Sequence, residues 1–342
     1  MRVTLKQVAA ASKVAVSTVG DILGKRAHLY KEATRRKVFD AARRLGYRPN
    51  ASARSMQSGK FDCLCLLQSA EEWRGYLPQS MLQGFQEAMH DRGMHLTIST
   101  LPDDKLNDET YVPKILREVM ADGLLINYID AIPKHLMSLI RKNDVPSVWI
   151  NVKHATDCIH PDDYGGARTA TEWLIASGRE RIAYVDLAYL ARAGHYSKRD
   201  RRNGCLEALR DAGREEVSLT RPHPTPGHDT LAFALEALSG SRRPDAVVTY
   251  GPADATTLLH GATFLGMRVP DDLAIISFCE SDLHEARKIP VGTVVVDWRR
   301  MGREAVGMLL QRIDAPEESF PARAMGLAVR TEGLVASGEP DE

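Results

Sequence analysis

Seven side chains near the start of the sequence have the types and spacing to grip and read a nucleic acid duplex. Val16, Ser17 and Asp21 fall at the exposed start of a short helical run, where they are candidates for base-edge contact. Thr4, Lys6, Thr18 and Lys25 flank them with hydroxyl and ammonium donors suited to phosphate oxygens. An acid at position 21 cannot donate to guanine O6 or N7, but it can accept from cytosine N4. The charge around them fits that chemistry. Residues 1–60 carry 14 Lys and Arg against Asp21, Glu32 and Asp40, a net of +11; the remainder holds 31 bases against 42 acids, a net of −11. A net charge of zero over 342 residues therefore conceals a basic head suited to a polyanion.

Such side chains need rigid supports. Thr4 is placed to cap a helix in which Leu5, Val8 and Ala9 recur at helical spacing. A break around Ser12–Ala15 precedes a second run, Val16–Leu23, with Val19, Ile22 and Leu23 on one apolar face. A third run, Ala33–Leu45, turns Val38, Ala41, Ala42 and Leu45 inward and Arg35, Arg36, Arg43 and Arg44 outward, and Gly46 stops it. Three short helices, the first two joined by a tight turn, are the layout of a helix-turn-helix reader. A three-helix protein-interaction module has the same packing but gives no reason for the basic bias.

The phrases VTLKQVAAASKVAVSTVGDIL and ATRRKVFDAARRLGYRPNASARSM resemble the start of the lactose/galactose repressor family over almost all of residues 3–56. That resemblance implies a hinge helix in Tyr47–Met56, ordered when two copies meet in the minor groove. There Asn50, Ala53 and Arg54 would lie against the duplex and the apolar tip of Met56 would wedge between base steps. Three positions depart from the family pattern: Ala15 stands where a Ser caps the recognition helix, Gly20 replaces a Ser, and Asp21 replaces a residue that is often Arg. The operator half-site is therefore expected to differ from the common family sequence.

From Phe61 onward, β-rich runs alternate with amphipathic helical segments. The strand-like runs are Cys63–Leu67, Leu96–Ser99, Leu124–Tyr128, Val148–Val152, Ile182–Asp186, Val217–Leu219, Ala246–Tyr250, Ala274–Phe278 and Thr293–Val296. Helical patterns occupy Ser80–Arg92, Val112–Ala121, Tyr164–Ser177, Arg199–Ala212, Thr230–Leu238 and Arg300–Ile313. Continuous apolar strands alternating with helices indicate parallel sheets covered on both faces, here as two doubly wound α/β lobes. The phrases Gly123–Tyr128, Asp162–Arg168 and Pro270–Phe278 resemble the core of the same family, which is similar to type I periplasmic sugar-binding proteins. The resemblance implies chain crossings near residues 160, 290 and 322. The expected organisation is a head over 1–46, a hinge and linker over 47–60, a first lobe from 61–160 with 290–321, and a second from 161–289 with 322–342.

A cleft between such lobes, at the carboxyl ends of the strands, is where a small molecule belongs. By resemblance, Arg201 in Arg201–Gly204 is an effector-contacting arginine and Asn127 a polar position at a strand end. The family's usual aspartate after its G-[FY] pair is Cys279 here, followed by Glu280, and Gly251-Pro252 replaces an expected Asn-Asp pair. Tyr76, Tyr128 and Tyr196, with Trp149 and Trp298, have rings that stack on a sugar or pack in the core.

Several function classes are excluded. No G-x-G-x-x-G, G-x-x-x-x-G-K-[ST], H-E-x-x-H or G-x-S-x-G phrase occurs, so no enzyme class and no cofactor is indicated. His154 with His160, and His223 with His228, lack metal-ligand spacing, and acidic pairs such as Asp162-Asp163 read as caps. Five cysteines in no framework pattern and an N-terminus without a signal-peptide pattern lead us to expect a cytoplasmic, nucleoid-associated location. The reading is a homodimeric, sequence-specific transcription regulator, of repressor type, that binds pseudo-palindromic double-stranded operator DNA. A small-molecule effector, a sugar or sugar derivative, modulates it. The alternatives are a regulator with an effector-independent core and a sugar-binding or enzymatic α/β protein.

Overall fold

The computed structural model describes residues 3–24, 26–49, 55, 59–71, 74–105, 108, 110–118, 120–129, 132–187, 194–217, 219 and 230–334. The chain divides into two compact units, Met1–Phe61 and Asp62–Glu342.

In the first unit, α1 (Leu5–Ser12), α2 (Val16–Leu23) and α3 (Glu32–Leu45) enclose a small core of Val8, Val19, Ile22 and Val38, all inaccessible or nearly so. Thr4 and Gln7 cap α1 reciprocally: the Gln7 amide donates to Thr4 Oγ1 (3.4 Å) and the Thr4 amide to Gln7 Oε1 (2.8 Å). Gly46 ends α3 with φ +67°, and the Tyr47 amide then bonds back to the Ala42 carbonyl (2.9 Å). Tyr47 packs on the head core, so the ordered head extends past the expected boundary at 46.

The second unit holds two sheets. Strands β1 (Cys63–Ser69), β2 (His95–Leu101), β3 (Gly123–Asn127), β4 (Ser147–Ile150) and β5 (Cys158–Pro161) precede β6 (Ile182–Val185), β7 (Ala246–Thr249) and β8 (Ala274–Cys279). The last three are β9 (Gly292–Val295), β10 (Arg323–Met325) and β11 (Ala328–Arg330). The first sheet has the order β10-β5-β4-β3-β1-β2 and is parallel throughout; the second, β11-β9-β8-β7-β6, is parallel except for β11. β3 to β7 are buried along their whole length, as strands covered on both faces must be.

The sheet partners correct the sequence reading in several places. Gly292–Val295 pairs with β8 in the second sheet, and Arg323–Met325 pairs with β5 in the first. The second crossing therefore falls between Val295 and Trp298, a few residues later than expected, because the helix Trp298–Asp314 already packs on the first lobe, and the third follows Met325 rather than 322. Val217 makes one backbone bond to the Ile182 carbonyl (3.0 Å), and neither Val217 nor Leu219 is in a strand. Their apolar character reflects packing on the second lobe's core. The helical segment expected over 112–121 is only Lys114–Arg117, because Pro113 opens it and Glu118 is already extended. Among the described residues, the α-helices Lys134–Lys142, Pro252–Phe264 and Leu283–Arg287 escaped the reading.

Helices Asp163–Ala176 and Tyr196–Asp211 pack closely at Gly204, where a Cβ would strike the Tyr164 carbonyl. That approach brings Arg201, one turn earlier on the second helix, to the first residue of the other helix, Asp163.

Candidate nucleic-acid interface and ligand cleft

Helix α2 carries the candidate base-reading residues. Val16 is 44% exposed, an unusual position for a β-branched apolar side chain, and Ser17 beside it is exposed. No side chain caps α2, whose N-cap is Ala15, so the amides of its first turn point outward without a side-chain acceptor. Lys6 is exposed and Thr18 half-buried. Thr4 is exposed but its hydroxyl is committed to capping α1. Asp21 is engaged within the head: its carboxylate accepts from the Tyr30 hydroxyl (2.6 Å) and lies 3.8 Å from Arg26. That hydrogen bond, with lesser contributions from burial and the Asp21 charge, pushes the Tyr30 phenol above its ordinary pKa. The Asp21 carbonyl accepts the Gly24 and Arg26 amides as well, so this residue closes the turn after α2. Lys25, Asn50, Ala53, Arg54 and Met56 lie outside the described residues.

In the body, the two lobes meet at the carboxyl ends of their strands. Ser80 donates to Glu280 (3.4 Å), the Tyr196 hydroxyl to Asn151 Oδ1 (3.3 Å), and Lys153 pairs with Asp200. His195 joins the Asn151 carbonyl (2.9 Å) to Ser197 (2.7 Å), which in turn bonds the Tyr250 hydroxyl (2.9 Å). Arg201 lies inside this region rather than on an open wall. Its Nε donates to Asp163 Oδ1 (2.7 Å) and its Nη1 to the Tyr250 carbonyl (2.5 Å). The guanidinium centre sits 3.9 Å from the Phe278 ring centroid and 4.5 Å from that of Tyr250. Burial opposes the charge most strongly, but the Asp163 carboxylate together with the Tyr250 and Tyr184 phenols outweighs it and holds the guanidinium pKa above its ordinary value.

The first-lobe candidates are also turned inward. Asn127 is fully buried and donates to the carbonyls of Gly75 (3.2 Å) and Tyr76 (3.1 Å). Tyr128 is fully buried, its hydroxyl bonded to Asp103 and accepting from Arg74 (3.2 Å). Burial pushes that phenol up to about 12, with the Asp103 hydrogen bond adding to it. Burial alone would raise Asp103, but donors from Ser69, Tyr128, Arg74 and the Ala70 amide together hold it low. These two side chains therefore brace the loop after β1, through the Asn127 amide nitrogen and the Tyr128 hydroxyl, which leaves only Asn127 Oδ1 uncommitted. Tyr76 (37% exposed), half-buried Cys279 and exposed Glu280 remain accessible. Trp149 and Trp298 are core residues.

Sequence reasoning missed the acids that organise the second lobe. Asp162 is the expected cap, accepting from the Gly165 amide (3.0 Å), but Asp163 next to it faces inward to Arg201. Asp254 accepts the amides of Leu187 (3.0 Å) and Gly251 (3.1 Å), and burial pushes its carboxyl up to about 7, with Asp186 adding to the shift. A Pro at the first helical position with an acid two residues on signals a helix start, and Pro252 to Asp254 carries that signal. Among the described residues, several buried polar atoms at these strand ends have no hydrogen-bond partner. They are Gln68 Oε1 and Asn127 Oδ1 in the first lobe, and Asp163 Oδ2, Tyr184 Oη and Asp186 Oδ1 in the second.

A basic three-helix head in one chain with a two-lobed, parallel-sheet receptor body defines a DNA-binding regulator with a ligand-receiving core. Comparison with known proteins agrees. The description "Bacterial regulatory proteins, lacI family" matches residues 4–50, and "Periplasmic binding protein-like domain" matches residues 171–330. The chain is 27% identical to the HTH-type transcriptional repressor PurR of Photobacterium profundum over 320 residues, covering 91% of this chain and 92% of that one. It is 26% identical to catabolite control protein A of Staphylococcus xylosus over 336 residues, 94% and 98% of the two chains. Its fold is that of the Lac repressor dimer bound to operator and the anti-inducer ONPF (TM-score 0.77, 20% identity, 98% and 100% coverage). It is likewise that of the CelR–cellobiose complex (TM-score 0.64, 24% identity, 98% and 100% coverage). The chain thus carries a lacI-family regulatory head together with a periplasmic-binding-protein-like domain, and its homologues include the PurR repressor and catabolite control protein A.

Three measurements test this geometry. Tyr30→Phe removes the donor to Asp21, so the Gly24 and Arg26 amides should exchange with solvent about threefold to tenfold faster, the effect of one lost hydrogen bond. Arg201→Met leaves Asp163 buried without its cation and should cost about 3–5 kcal/mol in urea denaturation with no ligand present. A purely ligand-facing arginine would leave that midpoint unchanged. The folded protein holds the Asp254 proton up to about pH 7, whereas an unfolded chain loses it near pH 4. Stability from this group therefore falls as pH rises through that window. The melting temperature of Asp254→Asn relative to the parent should accordingly be higher at pH 8 than at pH 5.

Proposed function

We propose that this regulator is a cytoplasmic, nucleoid-associated repressor acting as a homodimer on pseudo-palindromic operator DNA. In it, Val16 and Ser17 read base edges while Lys6 and the uncapped amides of α2 take phosphates. Asp21 shapes the reading surface through Tyr30 instead of contacting a base. The assignment of Lys25, Asn50, Ala53, Arg54 and Met56 to the same interface rests on the family resemblance alone. The net +11 of residues 1–60 supports a large phosphate contribution to affinity. Two-fold symmetry of the dimer accounts for a pseudo-palindromic site.

The effector reading is carried by the buried, unpartnered oxygens at the strand ends of both lobes. Buried polar groups are normally satisfied, and a cluster of orphans where two lobes meet marks the place of a ligand. The Gln68, Asn127 and Asp163 oxygens are acceptors, so the matching ligand is rich in donors. Hydroxyls of a sugar or sugar derivative fit, and the CelR structure holding cellobiose is a precedent within this fold. Tyr76, Cys279 and Glu280 line the accessible margin. Ligand entry would exchange the interlobe bonds of Ser80, Asn151 and Lys153 for ligand contacts and so bias lobe closure.

Selection of duplexes from a random pool by the full-length protein should return two half-sites related by two-fold symmetry, with affinity falling linearly on a log scale against salt. A sugar and polyol panel should then change operator affinity by about 5- to 150-fold. No preference over random competitor DNA at moderate ionic strength would sink the repressor reading. Ligands that stabilise the body yet leave operator affinity unchanged would decide for a core without effector coupling.

A further inference from the structure

The structure assigns a second small-molecule site to the amino-terminal edge of the first sheet, and we propose that it takes a free α-amino acid with a flat, polar-tipped side chain. A cavity of about 380 Å³ opens between the helix Lys134–Lys142, the start of β4 and the loop preceding β5. That volume is within the range of small-ligand pockets. It lies at the opposite ends of the strands from the interlobe cleft and shares none of its polar groups.

The cavity has an apolar side and a charged mouth. Met137, Ile140 and Trp149 form the apolar side. His154 stands edge-on to the Trp149 indole, ring centroids 5.1 Å apart at 81°. Its backbone is pinned by the Cys158 sulfur, which accepts the His154 amide (3.2 Å) and faces the His154 carbonyl (3.3 Å). Burial, with the nearby Arg141 charge, lowers the imidazole pKa, so the ring stays neutral at physiological pH. Its Nε2 is inaccessible and has no hydrogen-bond partner among the described residues. A buried ring nitrogen left unmatched is costly unless something else supplies the partner.

At the mouth, Arg141 and Asp144 are both exposed, and neither side chain is paired with a described residue. The other two charged side chains lining the cavity, Arg312 and Asp157, are paired with each other. Arg312 lies 3.3 Å from Asp157 and donates to the carbonyls of Ala315 (3.4 Å), Pro316 (2.8 Å) and Glu318, while Asp157 also accepts the Phe320 amide (3.0 Å). One free cation and one free anion beside an apolar wall complement a zwitterion: carboxylate on Arg141, ammonium on Asp144, ring against Trp149 and Ile140. His154 lines the cavity, and a tilt of its ring toward the ligand brings the unmatched Nε2 against a hydroxyl or ring N–H at the ligand's far end. L-Tyrosine has all four features, and L-phenylalanine lacks the last.

Calorimetric titration of the full-length protein with L-tyrosine, L-phenylalanine, tyramine and 3-(4-hydroxyphenyl)propanoate tests the assignment. Saturable binding of L-tyrosine is expected, at least tenfold tighter than tyramine, which lacks the carboxylate, and at least threefold tighter than the propanoate, which lacks the ammonium. Arg141→Gln, at an exposed position, should weaken L-tyrosine at least tenfold. His154→Phe keeps the edge contact with Trp149 and should bring L-tyrosine and L-phenylalanine to equal affinity, a ratio that does not depend on overall stability. Gln68→Ala, in the interlobe cleft, should change L-tyrosine affinity less than twofold. The assignment is overturned by absence of saturable binding, by a tyrosine preference that survives His154→Phe, or by loss of binding in Gln68→Ala. That last outcome would move the amino acid to the interlobe cleft, so the two sites are tested separately.

Discussion

A parallel strand covered on both faces has no side on which to keep a polar group, and that constraint organises the whole body. β3 to β7 are buried from end to end, so polar and charged side chains collect where the strands stop. At the carboxyl ends they form the interlobe region of Asp163, Arg201, Asn151 and His195; at the amino ends of the first sheet they form the mouth that contains Arg141 and Asp144. Each end then has to satisfy its polar atoms by bonding across lobes, by bonding to loop backbone, or by receiving a ligand.

The Arg201–Asp163 pair shows how tightly the interlobe region is determined. Gly204 permits two helices to approach, Arg201 reaches the start of the neighbouring helix, and Phe278 and Tyr250 enclose the guanidinium. A buried ion pair of this kind is a weak source of net stability but a strict specifier of arrangement, because only one geometry matches both charges. Asp163 still keeps one oxygen without a donor. The pair is thus tightly enclosed while its hydrogen bonding is incomplete, the feature on which the proposed effector site rests.

The head follows the opposite rule. Its core is four fully buried aliphatic side chains and their neighbours, and nearly all its charge stays on the surface. Asp21 is the exception with consequences. An acid on α2 would repel phosphates if it were free; bonded to Tyr30 and facing Arg26, it becomes part of the turn that follows α2. The uncapped start of the same helix presents its positive end outward, where an anion is favoured.

Periodicity and charge are local properties, so the three head helices, α2 to the residue, the alternation of strand and helix, and the basic head on an acidic body were all legible in the residues. Thr4 as a cap and Asp162 as a cap were legible for the same reason. That Asp163, not Asp162, faces Arg201, that Tyr128 and Asn127 brace a loop, and that β9 and β10 belong to different sheets from those expected emerged from the folded packing. Each of those outcomes depends on which of two adjacent residues points inward or which strand edge is free. Partners 25 to 52 residues apart in the chain settle such choices, and no local pattern records them.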